Sequence, residues 1–329
     1  MAQAELDVRT AIPQDDVVLP FAIEGLEVRG RIIRLGPALD AMLHRHDYPP
    51  LVSALLGKAV TLGALLGTTL KFDGRFILQT QSDGPVDLIV VDFTTPDRLR
   101  AYARFDAEAV AGAEPGAAPE SLLGAGHLAM TVDQGGDMSR YQGIVALEGG
   151  TLEEAAHGYF LRSEQIPSRV HLAVAEAFRK GTPVGAWRSG GILIQHLPKA
   201  PRRARDLPPG DVPEGTVLPP GDEEDDAWTE ATTLLSTVED HELLDPGLAP
   251  ERLLYRLFHE RGVRVFERRM LHDRCRCSRE AVDRLIRQFT PEERADMVEN
   301  GRITVTCEFC NTRYHFDPQD FEEPGSAVS

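Results

Sequence analysis

Four cysteines stand in two close pairs, Cys275 and Cys277 as C-x-C and Cys307 and Cys310 as C-x-x-C. They are the only cysteines in 329 residues, so their confinement to one stretch is a pattern rather than scatter. Thiolate sulfur is a soft ligand, and two close pairs brought together offer four such donors to one tetrahedral ion. Zinc(II) suits that cage, because its filled d shell imposes no other geometry. Four sulfurs leave no open coordination position, so the expected site holds one structural ion per chain and generates no metal-bound nucleophile. The same residues also fit free buried cysteines, two structural disulfides or an iron–sulfur centre. The opening MAQAELDVRTAIPQDD lacks a basic region followed by an apolar one. A secretory signal, and with it a permanent disulfide framework, is therefore not expected.

Arg264, Arg268, Arg269, Arg274, Arg276 and Arg279 crowd the first pair in sequence. Positive charge favours thiolate over thiol, and it equally offsets the negative charge of a four-thiolate metal centre. Metal-held thiolates are also the groups an oxidant attacks. Their loss as ligands removes the folding energy that the ion supplies, so the spacing permits a redox-dependent structural switch.

Something must bring the two pairs together. Ser278, with Ala281, Val282, Leu285 and Ile286 behind it, reads as a capped helix, and Ile303 to Thr306 reads as a short strand delivering the second pair. Upstream, Trp228 to Phe258 carries a helical pattern cut into short pieces by Pro246, Gly247 and Pro250. Helices this short are marginal alone and need a partner surface. Before them, Pro198 to Asp226 is rich in proline and ends in an acidic run, which predicts an exposed connector.

The first 195 residues read as a mixed α+β block. Strands are expected over Val28 to Leu35, Arg75 to Gln81, Val86 to Phe93, Leu128 to Val132, Tyr141 to Leu147 and Ile192 to His196. Phe72-Asp73-Gly74-Arg75 signals a hairpin between two extended runs. Short helices are expected over Pro37 to His46 and, behind a Thr151/Glu154 capping box, over Thr151 to Ser163. Leu51 to Leu70 is the nearest approach to a membrane span. Its glycines, Lys58 and helically spaced apolar residues predict a buried helix instead, with Lys58 at a surface or paired.

This block makes no catalytic statement. It has neither a phosphate-cradling glycine motif nor a G-x-S-x-G elbow. His44 and His46 read as surface-turn residues, and Glu164 and Asp137 as solvated carboxylates. The formal net charge of −17 leaves no global footprint for nucleic acid or anionic lipid.

Several runs resemble the Hsp33-type redox-regulated molecular chaperones of bacteria. The C-terminal ones are Leu253-Leu254-Tyr255-Arg256-Leu257-Phe258-His259-Glu260, Cys275-Arg276-Cys277-Ser278-Arg279-Glu280, and Cys307-Glu308-Phe309-Cys310-Asn311 with Tyr314 and Phe316. Upstream are Leu70-Lys71-Phe72-Asp73-Gly74, Gly84-Pro85, Arg140-Tyr141-Gln142-Gly143, Leu147-Glu148-Gly149, Tyr159-Phe160 and Arg162-Ser163-Glu164-Gln165-Ile166-Pro167. Together they span about residues 20 to 320.

The resemblance implies an N-terminal α+β chaperone domain (1–197), an acidic Pro-rich connector (198–227) longer than the family's usual one, a metastable helical linker (228–264), a four-cysteine zinc switch (265–320) and a tail (321–329). It implies that the reduced protein holds zinc through Cys275, Cys277, Cys307 and Cys310 and is a weak chaperone. Oxidants would then form Cys275–Cys277 and Cys307–Cys310 disulfides, release zinc and disorder the switch and linker. The oxidised protein would dimerise and hold unfolding client proteins without ATP, in the cytoplasm, with no enzymatic activity and no nucleic-acid or membrane partner. The candidate linker and client surface is Leu243, Leu244, Leu253, Leu254, Leu257 and Phe258. Two other readings stand beside this one: a zinc ribbon presenting its arginines to nucleic acid, and a thiol oxidoreductase using Cys307 and Cys310.

Overall fold

The computed structural model describes residues 15–70, 72–114, 116–135, 140–178, 185–197 and 226–321. Most of the Pro-rich connector, Asp137 and the tail beyond Phe321 lie outside these residues. Apolar residues alternating with polar ones form the strands of two large sheets. In chain order these are β1 (Val17–Ile23), β2 (Val28–Leu35), β3 (Arg75–Ser82), β4 (Leu88–Thr94), β5 (Arg98–Arg104), β6 (Ala125–Asp133), β7 (Tyr141–Glu148), β8 (Ser168–Ala177) and β9 (Ala186–His196). Three short strands follow late in the chain: β10 (Val263–Val265), β11 (Arg269–Met270) and β12 (His272–Asp273). The first sheet runs β10-β1-β2-β9-β8 with β11 also on β1, and the second runs β12-β5-β4-β3-β6-β7. A small third sheet joins β13 (Val298–Glu299), β14 (Arg302–Thr306) and β15 (Arg313–Phe316).

After α1 (Pro37–His44), the long helix α2 (Pro50–Thr69) runs between the two large sheets. One core joins Val18, Ile33 and Leu193 of the first sheet, Leu55, Ala59 and Leu62 of α2, and Phe76, Leu78 and Val91 of the second. The broad apolar face expected from sequence is thus buried nearly all round. The helix is long and apolar enough to cross a membrane, yet 83% of its apolar window lies inside the fold. Its glycines let the second sheet approach. A Cβ on Gly63 would sit 2.7 Å from Val91 Cγ1, and one on Gly67 2.5 Å from Phe93 Cδ1.

Lys58 is paired, as one of the two expected arrangements required. Its Nζ donates to Glu120 at 2.5 Å and lies 3.8 Å from Glu153, both carboxylates being largely buried. Removing the cation would leave two buried carboxylates uncompensated. Lys58→Met is therefore expected to cost about 3 kcal/mol of unfolding free energy, read as a lower urea midpoint. An unchanged midpoint would show that the carboxylates are solvated in solution.

Two expectations change. The Asp73-Gly74 turn joins α2 to β3 instead of two strands, because the dipeptide dictates the turn and not the element before it. Gly74, at φ +143°, supplies backbone freedom there. The helix expected over Thr151 to Ser163 follows the short α3 (Ala107–Ala111) and ends early, as α4 (Leu152–Tyr159). Its predicted capping box is present, and a π-helical turn, Phe160–Glu164, continues it.

The outer face of the first sheet is covered by α5 (Asp226–Ser236), α6 (Asp240–Leu244) and α7 (Pro250–Phe258). Leu235, Leu243, Leu253, Leu254 and Phe258 pack there on Leu19, Phe21, Ile32, Ile192 and Ile194, with the Phe21 and Phe258 rings stacked at 6.3 Å. Tyr255, on the other side of α7, is 63% exposed. Within this apolar contact sits Arg34 of β2, 1% exposed. Its Nε donates to the Leu243 carbonyl at 2.9 Å, Nη1 to that of Leu248 at 2.6 Å and Nη2 to that of Glu242 at 3.1 Å. One buried guanidinium thus satisfies two carbonyls that α6 leaves open at its end and that of Leu248 in the connection to α7. Past the linker, α8 (Arg279–Ile286) and α9 (Pro291–Asp296) complete the C-terminal module. Its own core is Val282, Ile286, Ile303, Phe316 and Phe321.

Candidate metal centre

Local structure delivers each cysteine. Cys275 and Cys277 lie on the extended segment after β12. Next, the Ser278 side chain accepts from Ala281 N at 3.1 Å and starts α8, as its sequence predicts. Cys307 and Cys310 occupy the turn from β14 to β15. That turn is closed by Cys307 N donating to Thr312 O (2.9 Å) and Asn311 N donating to Cys307 O (2.8 Å), with Asn311 at φ 55°. Asparagine tolerates that left-handed conformation better than most residues.

The four Sγ atoms lie within 4.8 Å of one another, and each cysteine is half-buried. Cys275 to Cys307 is 3.6 Å and Cys277 to Cys310 is 3.3 Å. A tetrahedron with metal–sulfur bonds of ~2.3 Å has edges of about 3.8 Å, so the donor set and its spacing fit a four-sulfur metal cage. As thiols the four differ. Burial pushes Cys277 up to about 12, although the Tyr314 hydroxyl, donating to its sulfur at 3.1 Å, pulls the other way. Burial also raises Cys307. At Cys310 burial is outweighed by hydrogen bonds with the Thr312 side chain and backbone and with Cys277, which bring it down to about 7.

The positive charge at the site differs from that expected. Arg264 lies 3.6 Å from Glu24, Arg268 donates to Glu251 at 2.7 Å, and Arg279 donates to the His315 carbonyl at 2.8 Å while covering the Phe316 ring. A cation against the sulfurs comes from the second sheet: Arg100 Nη1 is 3.9 Å from Cys275 Sγ. Sequence spacing held no signal for Arg100, whose contact closes a separation of 175 residues.

Arg100 also anchors the module. Its guanidinium lies 3.9 Å from the centre of the Phe309 ring, inside the C-x-x-C turn, and Tyr102 meets the same ring edge-on at 4.9 Å. His46 Nε2 is 3.2 Å from the Phe309 carbonyl, and Asn311 Nδ2 donates to Arg45 O at 2.9 Å. His46, expected only at a surface turn, therefore touches the cysteine module through its backbone, while His44 sits 3.0 Å from Asp40. Before the first cysteine, β10 and β11 pair with β1, and β12 pairs with β5. The segment is tied further by Leu271 N to Asp16 O (2.7 Å), His272 N to Asp97 O (2.8 Å) and Arg274 N to Leu99 O (3.0 Å). Residues 263–273, divided between linker and switch in the sequence reading, are thus strands of the two N-terminal sheets.

The other sequence candidates sit elsewhere. Glu164 accepts from Tyr159 Oη at 2.8 Å, remote in sequence and contact from the sulfurs. Leu243, Leu253, Leu254, Leu257 and Phe258 are buried, and Leu244 is partly buried, all beneath or within the linker cover.

The chain matches the family model described as Hsp33 protein over residues 16–317. It is 48% identical over 311 residues to a 33 kDa chaperonin of Caulobacter vibrioides, covering 92% of this chain and 95% of that protein. A 33 kDa chaperonin of Methylobacillus flagellatus is 35% identical, covering 92% of each chain. In fold, the chain is similar to the crystal structure of the 33 kDa chaperonin (heat shock protein 33 homolog) from Thermotoga maritima. The TM-score is 0.74 at 22% identity, over 93% of this chain and 96% of that one.

Proposed function

Because this chain belongs to the Hsp33 family, we propose that its four clustered cysteines hold one zinc ion in the reduced state and that their oxidation uncovers the surface beneath the linker. The chain is a redox-regulated, metal-binding chaperone and not an enzyme. The observation that carries the finer reading is the four-sulfur cluster at the end of a segment stitched into both sheets. Bound zinc would supply folding energy to the module and no reactive position.

The residues of the chain do the rest. In each close pair, two thiols give up two electrons and two protons to a peroxide, which leaves as water while one S–S bond forms. Cys275–Cys277 and Cys307–Cys310 are the proposed bonds. The nearest sulfurs in the folded cluster belong to opposite pairs, at 3.6 and 3.3 Å. Once the module loosens, only chain neighbours keep a high effective concentration. Disorder then passes from the module to β12, β11 and β10, and so to α7, which directly precedes β10.

Release of α5–α7 would expose Leu243, Leu244, Leu253, Leu254, Leu257 and Phe258 together with Leu19, Phe21, Ile32, Ile192 and Ile194 of the sheet. An apolar area of this kind binds unfolding clients or a second copy of the chain, so activity and dimerisation rise together. The proposed division is an N-terminal chaperone domain (1–197), connector (198–227), linker (228–264), switch (265–320) and tail (321–329). Strands β10–β12 serve as the junction. A cytoplasmic location suits thiols that rest reduced. With Arg264, Arg268 and Arg279 engaged within the fold, this reading is favoured over a nucleic-acid-binding ribbon.

The test follows thiol state, metal content, aggregation of a heat-labile client and hydrogen exchange together during peroxide treatment. Zinc loss, both close-pair disulfides and loss of protection over 226–258 should accompany activity. An active, zinc-free protein whose residues 226–258 keep their protection would defeat the uncovering mechanism. Predominant Cys275–Cys307 or Cys277–Cys310 bonds would defeat the pairing.

A further inference from the structure

Three stretches singled out in the sequence play no part in the cysteine centre: the start of the Leu70 run, the Tyr141 run and Tyr159 to Pro167. They converge on one cavity of about 370 Å³ at the C-terminal end of α2, within the range of roughly 300–1,000 Å³ typical of small-molecule sites. No described residue of the linker or cysteine module lines it. Its floor is apolar and buried: Leu66, Phe76 and Met130 are each 2% exposed and Phe160 6%. Its rim is open, with Leu70 39% and Tyr141 50% exposed.

The charges around the rim are unbalanced. Glu164, the one carboxylate in the lining among the described residues, accepts from Tyr159 Oη at 2.8 Å and Tyr141 Oη at 3.4 Å. Arg29 also lines the cavity and makes no ion pair among the described residues. Strand register puts Arg31 on the same face of β2, and across β1 it puts Arg269 on that face too. Arg31 Nη1 donates to Oγ1 of the lining residue Thr69 at 3.2 Å, while its Nε is buried with no partner among the described residues. Burial, then repulsion from Arg29 and Arg269, brings Arg31 down to about 10, with no carboxylate offsetting them. A buried guanidinium in this state favours an incoming anion.

We propose that this cavity binds a small amphipathic carboxylate of the fatty-acid class, its hydrocarbon chain on Leu66, Phe76, Met130 and Phe160 and its carboxylate at Arg29 beside the Arg31–Thr69 pair. The apolar floor disfavours a bare inorganic anion, and the guanidinia disfavour an uncharged alkane or alcohol. Glu164, tied to two phenols, repels a carboxylate from its own part of the lining.

The experiment titrates reduced, metal-loaded full-length protein with laurate below its micelle concentration, and in parallel with octanoate, octanol and inorganic phosphate, by calorimetry and amide NMR. Laurate should saturate one site per chain, shift the amides around Leu66, Met130 and Phe160, and bind more tightly than octanoate. Arg29→Ala, an exposed position whose loss leaves the fold intact, should weaken laurate about tenfold, the worth of one charged hydrogen bond. Met130→Trp, which fills the floor, should abolish binding. If that variant fails to fold, the Arg29→Ala comparison still decides. The proposal is overturned by no saturable laurate binding, by octanol matching octanoate with Arg29→Ala unchanged, or by phosphate binding the same amides as tightly as laurate. Zinc content and thiol state are measured throughout, so failure here is distinct from failure of the redox reading.

Discussion

Cys277→Ser is expected to abolish stable metal binding by the reduced protein and to unfold the module beyond residue 274, while both large sheets stay folded. Structural zinc sites of this kind contribute about 10–16 kcal/mol at neutral pH, shared among four ligands. A hydroxyl in place of one thiolate loses both the negative charge and the soft donor. The module's own core is five buried residues, too few to hold a fold of this length without the ion. Residues 263–273 should keep partial protection, because their backbone is bonded to β1 and β5. Metal analysis with hydrogen exchange reads both effects. Full metal retention by the variant would refute the four-sulfur site, and collapse of the large sheets would refute the independence of the N-terminal domain.

The second large effect is expected at Arg34. Arg34→Met keeps the bulk of the side chain and removes three donors, leaving the carbonyls of Glu242, Leu243 and Leu248 buried without them. Hydrogen bonds from a charged group are worth about 1.5–3 kcal/mol each. Some of that is returned because the cation no longer has to be kept out of water, so linker docking should weaken by about 3 kcal/mol. The reduced, zinc-loaded protein should then show faster exchange over 226–258 and suppress client aggregation without an oxidant. Arg34→Lys, which can replace one of the three bonds, should fall between the two. Unchanged exchange and unchanged resting activity in Arg34→Met would show that apolar packing alone holds the linker.

Much of the fold was legible because its signals are local. The alternation over Val28 to Leu35, the Thr151 capping box and the Ser278 cap each act within a few residues, and each is found where its pattern lies. β5 was missed although Leu99, Ala101 and Ala103 alternate with Arg98, Arg100, Tyr102 and Arg104, because three arginines mask a strand whose apolar face is small. β1 was missed because Val17 to Ile23 is buried on both faces and so shows little alternation. β10 to β12 are two or three residues long and exist only by pairing with strands already present.

The sequence by itself determined the chemistry of the centre. Which four atoms could cluster, and that a soft tetrahedral ion would suit them, follow from cysteine spacing, because chain neighbours stay close whatever the fold. It also determined that short amphipathic helices precede the centre and need a surface. Only the tertiary structure decided which surface that is, and that Arg34 reaches carbonyls more than 200 residues away to hold it, as the separations of 208, 209 and 214 show. It likewise added a cation beside the sulfurs, Arg100, that cysteine spacing did not signal. The physical reason is that periodicity encodes which side of an element is buried but not what it is buried against. A guanidinium finds its partner through space, after the sheets have chosen their register by the fit of whole faces.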